Sequence, residues 1–193
     1  MDSECLLKFV APYYQNKDIM HNIWHIELVI KYVNRIISQG QYHIDHESLI
    51  AAAFFHGFFY SDKLANRRWL TEQNVPKNTI ETIIKIAWES QRPEIPQILE
   101  GKILHDAHVI EGGKTYLITK SLITGSVRGQ SLEETITFIE ENVLDHNQCY
   151  LPESIPICVE SNQFAKEFIA TLKSDISADI IKSQFFAADN RVR

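Results

Sequence analysis

Three short stretches hold residue types that could do chemistry together. MHNIWHIELV carries His21 and His25, AAAFFHGFFYSD sets His56 among alanines and phenylalanines with Gly57 directly after it, and LHDAHVI carries His105, Asp106 and His108. Residues four apart on a helix share a face, so His21 and His25 lie one turn apart on the same side. Imidazole nitrogens bind borderline divalent metals, and an aspartate adds a hard anionic oxygen. Two histidines and one carboxylate leave coordination positions open. A metal held in that way lowers the pKa of bound water and polarises a phosphoryl oxygen.

The other candidates divide by position. His105 points about 100° away from Asp106 on a helix and is expected at the surface, while His108 falls roughly on the side opposite Asp106. His43 and His46 flank a loop and read as solvated. Lys63, Arg67 and Arg68, in SDKLANRRWL, form a basic cluster that reads either as a phosphate-holding patch or as a solvated helix face. Trp69 and Trp88 read as core or pocket wall. Cys5, Cys149 and Cys158 are odd in number, fit no CxxC spacing and have no evident base partner. They support neither a disulfide framework nor thiol catalysis.

The elements that must position these groups read as helices. Ile19, Ile23, Ile26, Val29, Ile30, Val33 and Ile37 recur at three- and four-residue intervals, which predicts an amphipathic helix from Asp18 to Gln39 with Asp18 as N-cap and Gly40 just past its end. A second helix, His46 to Phe55, is apolar nearly all round and should be central. A third begins at Ser61, a fourth runs from Asn78 to Glu89 and closes at Arg92-Pro93, and a fifth runs from Pro96 to Gly112-Gly113. TYLITKSLITGSV fits a helix or a strand. Ser131-x-x-Glu134 has the form of a capping box for ETITFIEENVL. Asn147 to Pro156 reads as a linker, and a last helical part spans Glu160 to Phe186. No segment alternates cleanly with period two, so the class is all-α.

Composition narrows the partners. The 193 residues are 45% apolar and 23% charged, with a net charge of -6 and dispersed basic residues. That balance argues against nucleic acid or an acidic membrane as the main partner. The start, MDSECLLKFV, lacks the basic and apolar regions of a signal peptide, and no run approaches a membrane span. A reducing cytoplasm is the simplest expected location.

The ordered motifs carry a resemblance. HxxxH, then His56 ending an apolar helix, then Asp106 in a later DA-type segment is similar to the HD-domain superfamily of metal-dependent phosphohydrolases. More narrowly, MHNIWHI, FHGFFY, NRRWL and HDAHVIEG resemble a bacterial subfamily with YHNxxHI, FHDxVY, NExxSA and DADLxxLG motifs, over about Met20 to Gly113. The resemblance implies an all-α HD-domain-like bundle of about seven to nine helices; residues 1–145 are expected as its core, and 146–193, beyond the match, as a linker and C-terminal extension packed on it. It implies metal ligation by His25, His56 and Asp106, with His21 beside them; His21 and Asp106 are the expected catalytic groups, and the basic cluster of Lys63, Arg67 and Arg68 is the expected substrate-binding patch for a phosphate. The cofactor implied is one divalent ion (Mn, Mg, Zn, Fe or Ni), and the substrate a nucleotide or other small phosphoester.

The sequence departs from that pattern where Gly57 replaces the family's aspartate, Arg67 an acid of the third motif, and His108 the second acid of the fourth. A bridging carboxylate is then missing, so at most one ion is expected, or none. Gly57 is expected instead as a left-handed C-cap. Two readings stand side by side: a phosphohydrolase, or an inactive member kept as a ligand-binding or protein-interaction module. Two histidines and a carboxylate also suit iron, which leaves non-hydrolytic metal chemistry as a third.

Overall fold

The computed structural model describes residues 3–60, 62–91 and 93–176, and among them nine α-helices and no strand. The second, α2 (Ile23–Gly40), buries His25, Ile26, Val29, Val33 and Ile36, the stripe its periodicity predicts. Its N-cap is Asn22 rather than Asp18: the Asn22 side chain accepts from Trp24 N. Asp18 instead accepts from Met20 N and pairs with the His21 ring. The central helix, α3 (His46–His56), is capped by Asp45 and buries nearly every residue. Ala51, Ala52 and Ala53 let neighbours approach its axis closely, and Leu49 and Phe55 fill the gaps.

Around α3 stand α4 (Lys63–Glu72), α5 (Lys77–Glu89) and α6 (Leu99–Ile110). The third helix starts at Lys63, after its Asp62 cap; Ser61 and Arg92, named in the expected boundaries, lie outside the described residues. Helix α6 starts three residues after the expected Pro96, because the N–H groups of Gln97 and Ile98 both reach Glu89 Oε2, at 2.9 and 3.0 Å. A buried carboxylate at the end of one helix thus serves the orphan donors of the next.

One element was not legible in the sequence. Helix α1 (Ser3–Tyr14) holds Pro12 inside it and packs Leu6, Val10 and Tyr14 into the main core. An interior proline removes a backbone bond and argues against a helix. Burial of three apolar side chains on one face outweighs that local preference.

The chain turns at Gly112 and Gly113, both left-handed (φ +67° and +71°), where side chains are strained. Beyond them TYLITKSLITGSV is a helix, α7 (Lys114–Val127), followed by α8 (Leu132–Asn142), whose Ser131–Glu134 capping box is present, and α9 (Ile155–Asp175). Residues 177–186 of the expected last helix lie outside the described residues. Two apolar clusters result: one from α1 to α6, the other from α7, α8 and the second half of α9. The change of core falls at the glycine pair, and Cys158 of α9 joins the first cluster while Ala165 and Ile169 join the second. No described helix is long and apolar enough to cross a membrane.

Candidate functional site

A cavity of about 300 Å³ lies where α2, α3 and α6 face α7. His21, His25, His56, His108 and Glu111 line one part of it together with Lys17 and Lys120, and the lining continues through Thr124 and Arg128 to Phe138 and Asn147. The helices explain the gathering. His25 comes from the first turn of α2 while His21, expected one turn earlier on the same helix, lies just before its Asn22 cap; His56 is the last residue of α3, and His108 and Glu111, three apart, come from the end of α6.

Glu111 is the hub. It is 4% exposed, and its two oxygens face different partners. Oε1 accepts from the Lys120 ammonium at 2.5 Å and lies 3.8 Å from His108 Nε2. Oε2 lies 2.6 Å from His25 Nδ1. That approach is off the axis of a hydrogen bond, and neither atom has a hydrogen-bond partner among the described residues. The pairing compensates their desolvation only in part, and a third group between them would complete it. Burial pushes the His25 imidazole below its usual pKa, with Glu111 pulling it back only in part. His21, held by both oxygens of Asp18 at 2.9 Å, is lowered chiefly by burial and then by the charge of Lys120.

His56 is fixed from behind. Its Nδ1 lies 2.7 Å from Ser90 Oγ, and the single Ser90 hydroxyl proton goes to Ala87 O at 2.9 Å. With the hydroxyl proton assigned to Ala87 O, Nδ1–H is the donor to Ser90. Gln91 Nε2, 3.2 Å from the same nitrogen, has Ala87 O and His56 O as its acceptors. Nε2 is left with its lone pair, the arrangement usual for a ligating or proton-accepting imidazole. Burial lowers the His56 pKa to about 3, so the ring is neutral at ordinary pH. Its centroid lies 4.3 Å from that of His108.

Gly57 is not a left-handed cap. Its φ of -70° and ψ of -14° are ordinary right-handed values. The reason for a glycine is space: a Cβ there would lie 2.5 Å from Tyr14 Oη and 2.7 Å from its ring. Tyr14 donates to Phe54 O at 2.7 Å, and Lys17 donates to Gly57 O. The end of α1 and the turn after it thus fill the position where the resembling family carries its aspartate.

The expected trio of His25, His56 and Asp106 does not converge. Asp106 faces the other side of α6, where it accepts from Tyr150 N at 3.0 and 2.9 Å and from Leu151 N at 2.8 Å. It is fully buried and holds the segment before α9. His105 is buried with it, 3.2 Å from its Oδ1 and edge-on to Tyr150, rather than at the surface. His108, expected opposite Asp106, is for that reason the α6 histidine in the cavity. His43 and His46 are exposed, as expected.

The basic cluster is elsewhere too. Arg67 forms a two-pronged pair with Glu81, Arg68 is exposed, and neither lines the cavity. Lys63 opens α4, and its side chain lies outside the described ones. Trp69 stacks on Phe9 in the core at 4.8 Å, and Asn66 of the NRRWL segment is fully buried. The cationic groups at the cavity are Lys17, Lys120 and Arg128. The helical interval His108-x-x-Glu111 was a readable signal for the ligand face. Lys120 had no such signal, because the segment carrying it was ambiguous between helix and strand.

The donor set fits one divalent cation. His25, His108 and Glu111 each offer a ligand atom, and these atoms lie within 4.8 Å of one another. Two imidazoles and a carboxylate are a common catalytic set for such ions, and the orphaned pair His25 Nδ1 and Glu111 Oε2 belongs to it. A second, carboxylate-bridged ion has no support at position 57, which Tyr14 crowds.

Comparison with known proteins supports the fold. No family model matches the chain, and no curated protein matches it. A crystal structure of the Lin1889 protein from Listeria innocua superimposes with a TM-score of 0.69 at 21% identity, over 92% of this chain and 99% of that one. The likeness is one of fold.

Proposed function

We propose that the cavity binds a small phosphorylated molecule and hydrolyses it with one divalent cation held by His25, His108 and Glu111, as in the phosphohydrolases that the motifs resemble. The observation that carries this reading is the gathering of those three ligands, two of their atoms paired only with each other, in a cavity also lined by cations. A bound ion would activate water and polarise a phosphoryl oxygen. Lys17 and Arg128 supply positive charge for phosphate oxygens. Neutral His56, with Nε2 as acceptor, orients a water, and His21, steered by Asp18, is the imidazole placed to move a proton.

The test is metal analysis of protein purified without chelator, followed by assay of phosphate monoesters with Mn²⁺. Glu111→Gln and His25→Ala should abolish turnover in a folded protein. A wild type that binds the ion but hydrolyses no ester would defeat the enzymatic reading.

One observation favours a second reading, a module that binds a phosphorylated ligand without turnover. Tyr14 closes the position of a carboxylate that the resembling hydrolases use, and binding of a phosphate ester that is never consumed would support it.

A further inference from the structure

The ammonium of Lys120 lies 2.5 Å from Glu111 Oε1 and 3.4 Å from His108 Nε2, so it contacts two of the three groups assigned to the cation. The side chain is 16% exposed and Glu111 3%. A carboxylate this deeply buried needs a positive partner, because an unpaired charge in such a place is strongly destabilising. A divalent ion held by Glu111 and His108 would compete with the ammonium for the single negative charge of that carboxylate and for the space beside His108 Nε2. Lys120 also comes from a different body of the protein than its acceptor. It sits on α7, whose apolar contacts are with α8 and α9, while Glu111 ends α6.

We propose that Lys120 is a tethered cation that occupies the metal position until a divalent ion displaces it, and that the displaced ammonium then serves as an anion-binding group in the same cavity. This rests on the assignment of His25, His108 and Glu111 as ligands. The stem of a lysine is long and flexible enough for such a move. From α7 the released head faces the stretch lined by Ser121, Thr124 and Arg128. Ion and anion binding are then coupled: an ion on Glu111 provides a cation for phosphate, and phosphate drawing Lys120 away clears Glu111 for the ion. By linkage each should strengthen the other by the same factor.

The experiment is isothermal titration of Mn²⁺ into the full chain as wild type, Lys120→Met and Glu111→Gln, each with and without inorganic phosphate. If the lysine-bound state is favoured about ten to one, apparent metal affinity is lowered about tenfold. Lys120→Met should therefore bind one ion at least about tenfold more tightly than wild type, and Glu111→Gln none. Phosphate should tighten Mn²⁺ binding more in wild type than in Lys120→Met, where only the direct attraction between ion and phosphate remains. As a measurement that needs no variant, an amine-acylating reagent followed by peptide mass analysis should label Lys120 faster in wild type when Mn²⁺ is bound. Equal Mn²⁺ affinity in wild type and Lys120→Met, or labelling unaffected by Mn²⁺, overturns the displacement while leaving the ligand assignment intact. Absence of binding in both, with both folded, overturns the ligand assignment and the displacement with it.

Discussion

Helix α6 carries two buried carboxylates five residues apart, and they differ in what they hold. Asp106 is saturated by backbone: the amides of Tyr150 and Leu151 supply three contacts between 2.8 and 3.0 Å. Glu111 is held by side chains alone, with Lys120 on one oxygen and His25 near the other. A carboxylate gripped by backbone amides cannot turn towards a ligand without unfolding the segment it holds. One gripped by a flexible ammonium can exchange partners. The difference between a structural acid and a chemical one lies here in the mobility of the donors, since both are buried.

Substitution of both residues tests that contrast most strongly. Asp106→Asn should lower unfolding free energy by about 2–4 kcal/mol, because a buried amide nitrogen would face backbone donors. Urea denaturation measures it, and Mn²⁺ affinity of the folded fraction should stay within a factor of two. Glu111→Gln should reverse the pattern. Metal binding should be lost, while stability falls by about 1 kcal/mol, since the Lys120 head can extend towards water.

Acid should act on the cavity side first. The His56 pKa lies near 3 in the folded chain, below its unfolded value near 6.5. The unfolded state then binds the extra proton, so stability is fully present above pH 6.5 and is lost as pH falls towards 3. Between pH 7 and 5 the loss from this group should be about 2 kcal/mol, with His25 and His21, both lowered by burial, adding to it. Urea midpoints across that range measure the slope, and His56→Leu should flatten it.

A third comparison concerns Gly57. Gly57→Asp should destabilise the chain by about 1–3 kcal/mol through overpacking against Tyr14. It should not raise the stoichiometry of bound Mn²⁺ above one. In the Tyr14→Ala background the penalty should shrink, a non-additivity that a double-mutant cycle reads directly. The smallest effect is expected at Arg67→Ala. Its pair with Glu81 is half-exposed, so stability should stay within measurement error and ligand binding should not change.

Where the sequence was legible, local pattern and final environment agreed. The stripe of α2, the all-apolar α3, the Ser131–Glu134 capping box and the glycine stop after α6 were all readable as they stand. His25 is legible from the HxxxH interval, and His56 from its place at the end of an otherwise apolar helix. Asp106 reads as the ligating acid in the sequence and Glu111 draws no notice, because the amides that occupy Asp106 come from residues 44 and 45 positions away. Tyr14 was missed for the same reason, compounded by Pro12, which hid the helix carrying it. Lys120 was missed because its segment gave no decision between periods. For Asp106 and Tyr14 the missing information was a partner distant in sequence.

The crowding of Gly57 by Tyr14 also constrains how this sequence can drift. An acidic side chain arriving first at position 57 meets a phenol ring, and a small residue arriving first at position 14 opens a hole in the core. Either first step loses stability before the second can recover it. Positions 14 and 57 should therefore change as a pair among homologous chains, those with a carboxylate at 57 carrying a small residue at 14. A lineage that has acquired the tyrosine is held on its side of that divide by a fitness valley two substitutions wide.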